Sequence, residues 1–154
     1  MAGPRIRKFL VVIDKTPECQ VALRFATRRA QHTGGRVTLM CAATPGEFQQ
    51  WRGVEEIMKD EAHAEAEALL HAAAKVVNDL SGILPELVIP YGKVNECLVK
   101  LLKEDKDISI LVLASGAGNE GPGPLVAMFA SAVQAIPVTI VPGTLTDEQI
   151  DALA

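Results

Sequence analysis

The aliphatic run Ile108-Ser-Ile-Leu-Val-Leu-Ala114 leads directly into Ser115-Gly-Ala-Gly-Asn-Glu-Gly-Pro-Gly123, and these glycines are the residues of this chain best suited to chemistry. Glycine lets backbone N–H groups close on phosphate oxygens, and the apolar helix-like segment that follows would turn its positive N-terminal end toward the same anion. Ser115, Gly116, Gly118 and Gly121 are therefore candidate anion contacts, and Ser131, further on, is a candidate hydroxyl donor. Asp14 closes a second aliphatic run, Phe9-Leu-Val-Val-Ile13, where its carboxylate could accept from a ligand donor. Each candidate also has a plainer reading. Glycines make turns, an aspartate can cap the turn before a helix, and a small serine packs well between helices. The loop also holds Glu120, two prolines without N–H groups (Pro122 and Pro124) and no Lys or Arg, all of which weaken the expected hold on a triphosphate.

Other reactive side chains form no recognisable set. His63 and His71 are eight residues apart on an Ala- and Glu-rich helix with no motif partner to complete a metal site, so a solvated face is expected. His32 precedes Thr33-Gly-Gly35 at a helix end, where the helix dipole alone accounts for it. Cys41 and Cys97 read as buried small hydrophobes, and Cys19, in a first helix turn, is the thiol to test for reactivity. Ser115-Gly-Ala-Gly118 lacks the Gly-x-Ser-x-Gly form of a nucleophile elbow, and a phosphorylated receiver domain would need a carboxylate cluster to which only Asp14 could belong. Phe48 and Trp51 stand in a loop as a lid, a partner contact or a local staple.

Alternating elements position these residues. Phe9–Ile13 is a buried strand, and Asp14 opens a turn in which Thr16 and Pro17 suit the N-cap and first position of a helix ending near Thr33-Gly-Gly35. Val37–Cys41 is a second strand, Glu55–Leu80 a long helix and Leu87–Ile89 a third strand. Asn95–Glu104 is an amphipathic helix with Leu98, Leu101 and Leu102 inward, leading to the strand at Ile108. The uncharged stretch Gly121–Thr146 reads as a buried helix turning near Pro137 into a strand, Val138–Val141, rather than as a membrane span. Thr146-Asp-Glu-Gln149 resembles a capping box for a short last helix able to cover the edge of that strand. Strand and helix in alternation imply a parallel sheet with helices on both faces.

With 154 residues the chain fits one domain, residues 1–154, with 1–7 a flexible N-terminus and 144–154 a C-terminal extension. A net charge of −4 without a basic stripe, together with one Trp, one Tyr and four Phe, argues against nucleic acid as a partner. Three widely spaced cysteines with no Cys-x-x-Cys pair, and no signal-peptide core, point to a reducing cytoplasm.

Val11-Val-Ile-Asp14, Ala22-Leu-Arg-Phe-Ala26, Val37-Thr-Leu-Met-Cys-Ala42, Tyr91-Gly-Lys-Val-Asn-Glu-Cys-Leu98 and the ending Pro137-Val-Thr-Ile-Val-Pro142 together resemble the universal stress proteins over nearly the whole chain. The resemblance implies an open five-stranded parallel sheet of order 3-2-1-4-5 and a homodimer through the last strand. In the nucleotide-binding branch it implies ATP on a Gly-x-x-Gly-x9-Gly-(Ser/Thr) loop, the Asp14 position on the adenine or ribose side and the Ala42 backbone along the adenine. This chain departs from that loop: Ser115 stands for the first glycine, and eleven residues separate Gly118 from Ala130-Ser131, or eight if Gly121 is taken instead. Two functions are thus expected. One is a stress-response protein holding ATP or AMP, with Mg²⁺ only alongside the nucleotide and slow hydrolysis at most. The other is a homodimer of the same type that binds no nucleotide and acts through protein contacts.

Overall fold

The computed structural model describes residues 5–44, 52–116, 124–131 and 136–154. β1, Lys8–Val12, shows why the aliphatic runs become strands: Phe9 and Val11 enter one hydrophobic core, while Leu10 and Val12 enter another on the opposite side. Successive strand residues point to opposite faces, so a strand covered on both must be apolar throughout. Each such side chain, fully buried, contributes about 1.5–3 kcal/mol.

α1, Pro17–Thr33, begins and ends where its sequence dictates. Thr16 is extended at the N-cap with Pro17 following, and Gly34, at φ 67°, takes the left-handed conformation and bonds its N–H to the Ala30 carbonyl. β2 (Arg36–Met40), α2 (Arg52–Ser81), β3 (Glu86–Val88), α3 (Val94–Glu104), β4 (Ile110–Ser115), α4 (Pro124–Ser131), β5 (Val138–Pro142) and α5 (Asp147–Leu153) complete the chain. The five strands form one parallel sheet in the order β3-β2-β1-β4-β5, with β1 central and β5 at an edge, as the sequence pattern and the resemblance require. The third strand is one residue earlier than expected, and strand pairing in the fourth starts at Ile110 although Ile108 is already buried.

The first core packs α1 and α2 against the sheet, with Leu23, Ala26, Leu70 and Val77 at its centre. The second packs α3 and α4 on the other face through Cys97, Leu98 and Val126; Leu101 and Leu102 are only partly buried there. Thr38 is fully buried in β2 and its hydroxyl has no hydrogen-bond partner among the described residues, whereas buried Thr27 donates to the Leu23 carbonyl at 2.7 Å. At the amino end of the sheet the Lys8 ammonium lies 2.5 Å from Asp105 and 3.2 Å from Glu86, joining β1, β3 and the end of α3. Arg7 is tied in as well, its carbonyl accepting from the Arg36 N–H at 2.8 Å.

The capping box at Thr146 and Gln149 is present with both reciprocal bonds. α5 packs on α1, not on the outer edge of β5 as its position in the sequence suggested. Burial and charge both hold it: Ile150 is fully buried, Arg24 gives Asp151 a two-pronged bond at 2.9 and 2.7 Å, and Arg28 adds a third at 3.1 Å. His32, read from sequence as a dipole partner only, also has its Nδ1 2.7 Å from the Ala154 carbonyl. His63 and His71 flank Glu67 at 3.8 and 3.9 Å on a solvated face of α2. Among the described residues no helix is long and apolar enough to cross a membrane.

Candidate functional site

Strand order reverses direction between β1 and β4. The helix leaving β1 packs on one face of the sheet and the helix after β4 on the other, so a crevice opens between them at the carboxyl ends. Ligands of open α/β sheets bind at this switch point. A cavity of about 180 Å³ occupies it, walled by Val12, Asp14, Cys19, Val112, Ala114 and Val126. A second, of about 230 Å³, lies toward β2 and is lined by Asp14, Lys15, Cys41, Ala42, Thr44 and Glu65 among others. Asp14 is the residue common to both.

The turn-capping reading of Asp14 holds. Its Oδ1 accepts from the Thr16 backbone N–H at 2.8 Å and from the Thr16 hydroxyl at 2.5 Å, which fixes the turn before α1. Oδ2 takes part in neither bond, and the side chain is exposed in the crevice. Ala42, half-buried just past β2, lines the second cavity. The chain there is held in place by the Cys41 N–H on the Val88 carbonyl and the Ala43 N–H on the Pro90 carbonyl. Lys15 forms an ion pair with Glu65 of α2, closing one side of that cavity.

Ser115 ends β4 in register with Pro142, and Gly116 follows it, both half-buried. Gly143 lies against this end of the sheet so closely that a Cβ there would stand 2.1 Å from the Ser115 carbonyl oxygen and 3.1 Å from the Glu18 Cβ. Gly118, Gly121, Phe48 and Trp51 lie outside the described residues, as does the side chain of Ser131, the last residue of α4. Asp14 and Ala42 thus share the second cavity, while Ser115 and Gly116 stand at the end of β4 on the same carboxyl edge of the sheet.

The surroundings of Cys19 disfavour its thiolate. Burial pushes its thiol up to about 11, and its Sγ contacts the Val12 carbonyl at 3.6 Å. Burial raises Cys41 as well, and Cys41 and Cys97 are the buried residues expected. Among the described residues no group of three or more His, Cys, Asp or Glu is placed to hold a metal ion.

Sequence reasoning missed Lys15, Thr16, Glu18, Thr44 and Glu65 as walls of the site. The first three were legible from their adjacency to Asp14. Glu65 reaches the crevice only because α2 folds back over it, which no local pattern announces.

The family model of the universal stress protein family matches residues 5–142. Among solved structures, the universal stress protein UspA from Lactobacillus plantarum has a TM-score of 0.74 at 17% identity, covering 90% of this chain and 99% of that one. The universal stress protein from Archaeoglobus fulgidus in complex with dAMP has a TM-score of 0.61 at 21% identity over 88% of this chain and 97% of its own. A universal stress protein family protein from Arabidopsis thaliana with AMP bound reaches 0.60 at 15% identity, covering 92% and 94%. Among curated proteins none matches the sequence significantly. At such identities the structures speak for the fold, while the model match extends over most of the chain, which belongs to the universal stress protein family.

Proposed function

We propose that this protein binds an adenine nucleotide, AMP or ATP, at the carboxyl ends of β1 and β4, as a stress-response protein. The observation that carries the reading is the switch-point crevice with Asp14 on the wall of both its cavities. In this arrangement the base lies toward Ala42 and Thr44, the Asp14 carboxylate accepts from the base or the ribose, and phosphate extends toward Ser115 and Gly116. Gly118, Gly121 and Ser131 complete the phosphate side, and Mg²⁺ enters only with the phosphates. The relatives bound to dAMP and AMP support the choice of adenine. Calorimetric titration with AMP and ATP, with and without Mg²⁺, tests it. Asp14→Ala should weaken binding several-fold, the loss of one hydrogen bond of about 1 kcal/mol. Unchanged affinity in the folded variant would place the ligand elsewhere.

The edge strand β5 favours a homodimer, and this holds whether or not nucleotide binds. Ile140 is 42% exposed on it, and Val138–Val141 carries no charge to deter pairing. A second copy paired there satisfies its outer N–H and C=O groups. Light scattering should give a dimer at micromolar concentration and a monomer for Thr139→Pro. The three buried free thiols suit a reducing compartment, the cytoplasm.

A further inference from the structure

The walls of the crevice bear on which adenine ligand it takes. Among the described residues, the charged groups lining the cavity at the switch point are the carboxylates Asp14 and Glu18. The cavity toward β2 adds Lys15 and Glu65, and these two are already paired with each other. The ammonium thus serves to neutralise Glu65, and an entering phosphate must compete for it. Lys59 is engaged elsewhere, 4.8 Å above the Tyr91 ring. In sequence, residues 115–123 contain Glu120 and neither Lys nor Arg. α4 has no charged residue in its first turn.

We propose that the site selects adenine ligands of low phosphate charge, adenosine or its monophosphate, and discriminates against the free triphosphate. The inference rests on the adenine reading above and adds the sign of its charge dependence. AMP carries about two negative charges and each further phosphate adds roughly one more. At separations of about 8 Å in a solvent-filled crevice, two uncompensated wall carboxylates acting on the two extra charges of ATP correspond to about five-fold weaker binding than AMP, after screening at about 0.1 M salt.

The experiment is calorimetric titration of the whole protein with adenosine, AMP and ATP in EDTA, at about 0.1 M and about 1 M NaCl, where the screening length falls to about 3 Å. The expected result is ATP about five-fold weaker than AMP at low salt, with the gap closing at high salt. Glu18→Gln should improve ATP affinity about two-fold more than it changes adenosine affinity. ATP binding as tightly as AMP or tighter at low salt overturns the charge selection while leaving the adenine reading intact. A gap that persists at high salt, or a Glu18→Gln variant that shifts adenosine and ATP equally, likewise overturns it. No binding by any of the three ligands overturns both.

Discussion

Replacing Gly143 by alanine should distort the rim of the crevice and destabilise the fold, although the substitution adds a single methyl group. The added Cβ would stand 2.1 Å from the Ser115 carbonyl oxygen, far inside van der Waals contact, and 3.1 Å from the Glu18 Cβ. Both neighbours are rigid: one is strand backbone, the other the root of a side chain in the first turn of α1. No rotamer change relieves the contact, so the end of β4 or the turn after β5 must move. Overpacking of this kind costs about 1–3 kcal/mol. With a urea slope of about 2 kcal/mol/M, the unfolding midpoint should fall by about 1 M at unchanged slope. Gly34→Ala is the control. Gly34 has φ 67° and open space where its Cβ would go, so its cost of about 1 kcal/mol is conformational and should leave the site alone. Because the clash falls on Ser115 and Glu18, Gly143→Ala should also weaken AMP binding and Gly34→Ala should not. A Gly143→Ala midpoint within about 0.25 M of the parent would refute the steric argument.

Thr38→Val replaces a buried hydroxyl that finds no partner among the described residues by a methyl group of similar shape and should stabilise the protein by about 1 kcal/mol in the same urea assay; a loss of stability would reveal a partner for that oxygen. Asp151 is held down to about 2, first by its hydrogen bonds from Arg24 and then by Arg28. Its folded value lies below the ordinary 3.8, so its stabilising contribution is complete above that pH and is lost as pH falls through about 2. Acid unfolding followed by circular dichroism should therefore be less steep between pH 4 and 2 for Asp151→Asn. A thiol-disulfide probe at neutral pH should label Cys19 only at the rate of global or local opening, and rapid stoichiometric labelling in the native state would contradict its buried, raised thiol.

The fold was legible where the physics is local. Phe9–Ile13 and Val37–Cys41 read as strands because they are apolar on both faces, and Thr16-Pro17, Gly34 and Thr146-Asp-Glu-Gln149 mark helix ends by bonds made within a few residues. The candidates Asp14 and Ser115 follow from the same local rule, as residues at or just past strand ends, whereas Ala42 is implied only by the family resemblance. What could not be read depends on distant partners. Asp151 meets Arg24 across 127 positions, which turns α5 toward α1, and Glu65 meets Lys15 only once α2 has folded over the sheet. Gly143 carries no sequence signal of its tight packing, because its neighbours, Ser115 and Glu18, belong to other elements.

α1 sinks Cys19, Ala22, Leu23, Ala26, Thr27 and Ala30 into the core on one face of the sheet and is clamped from outside by α5. Its amides should therefore exchange with solvent only near global unfolding. One jaw of the crevice is thus rigid before any ligand arrives, and the Asp14 turn that leads into it is held ready by its bonds to Thr16. Occupancy of the crevice should accordingly change exchange little anywhere along Pro17–Thr33.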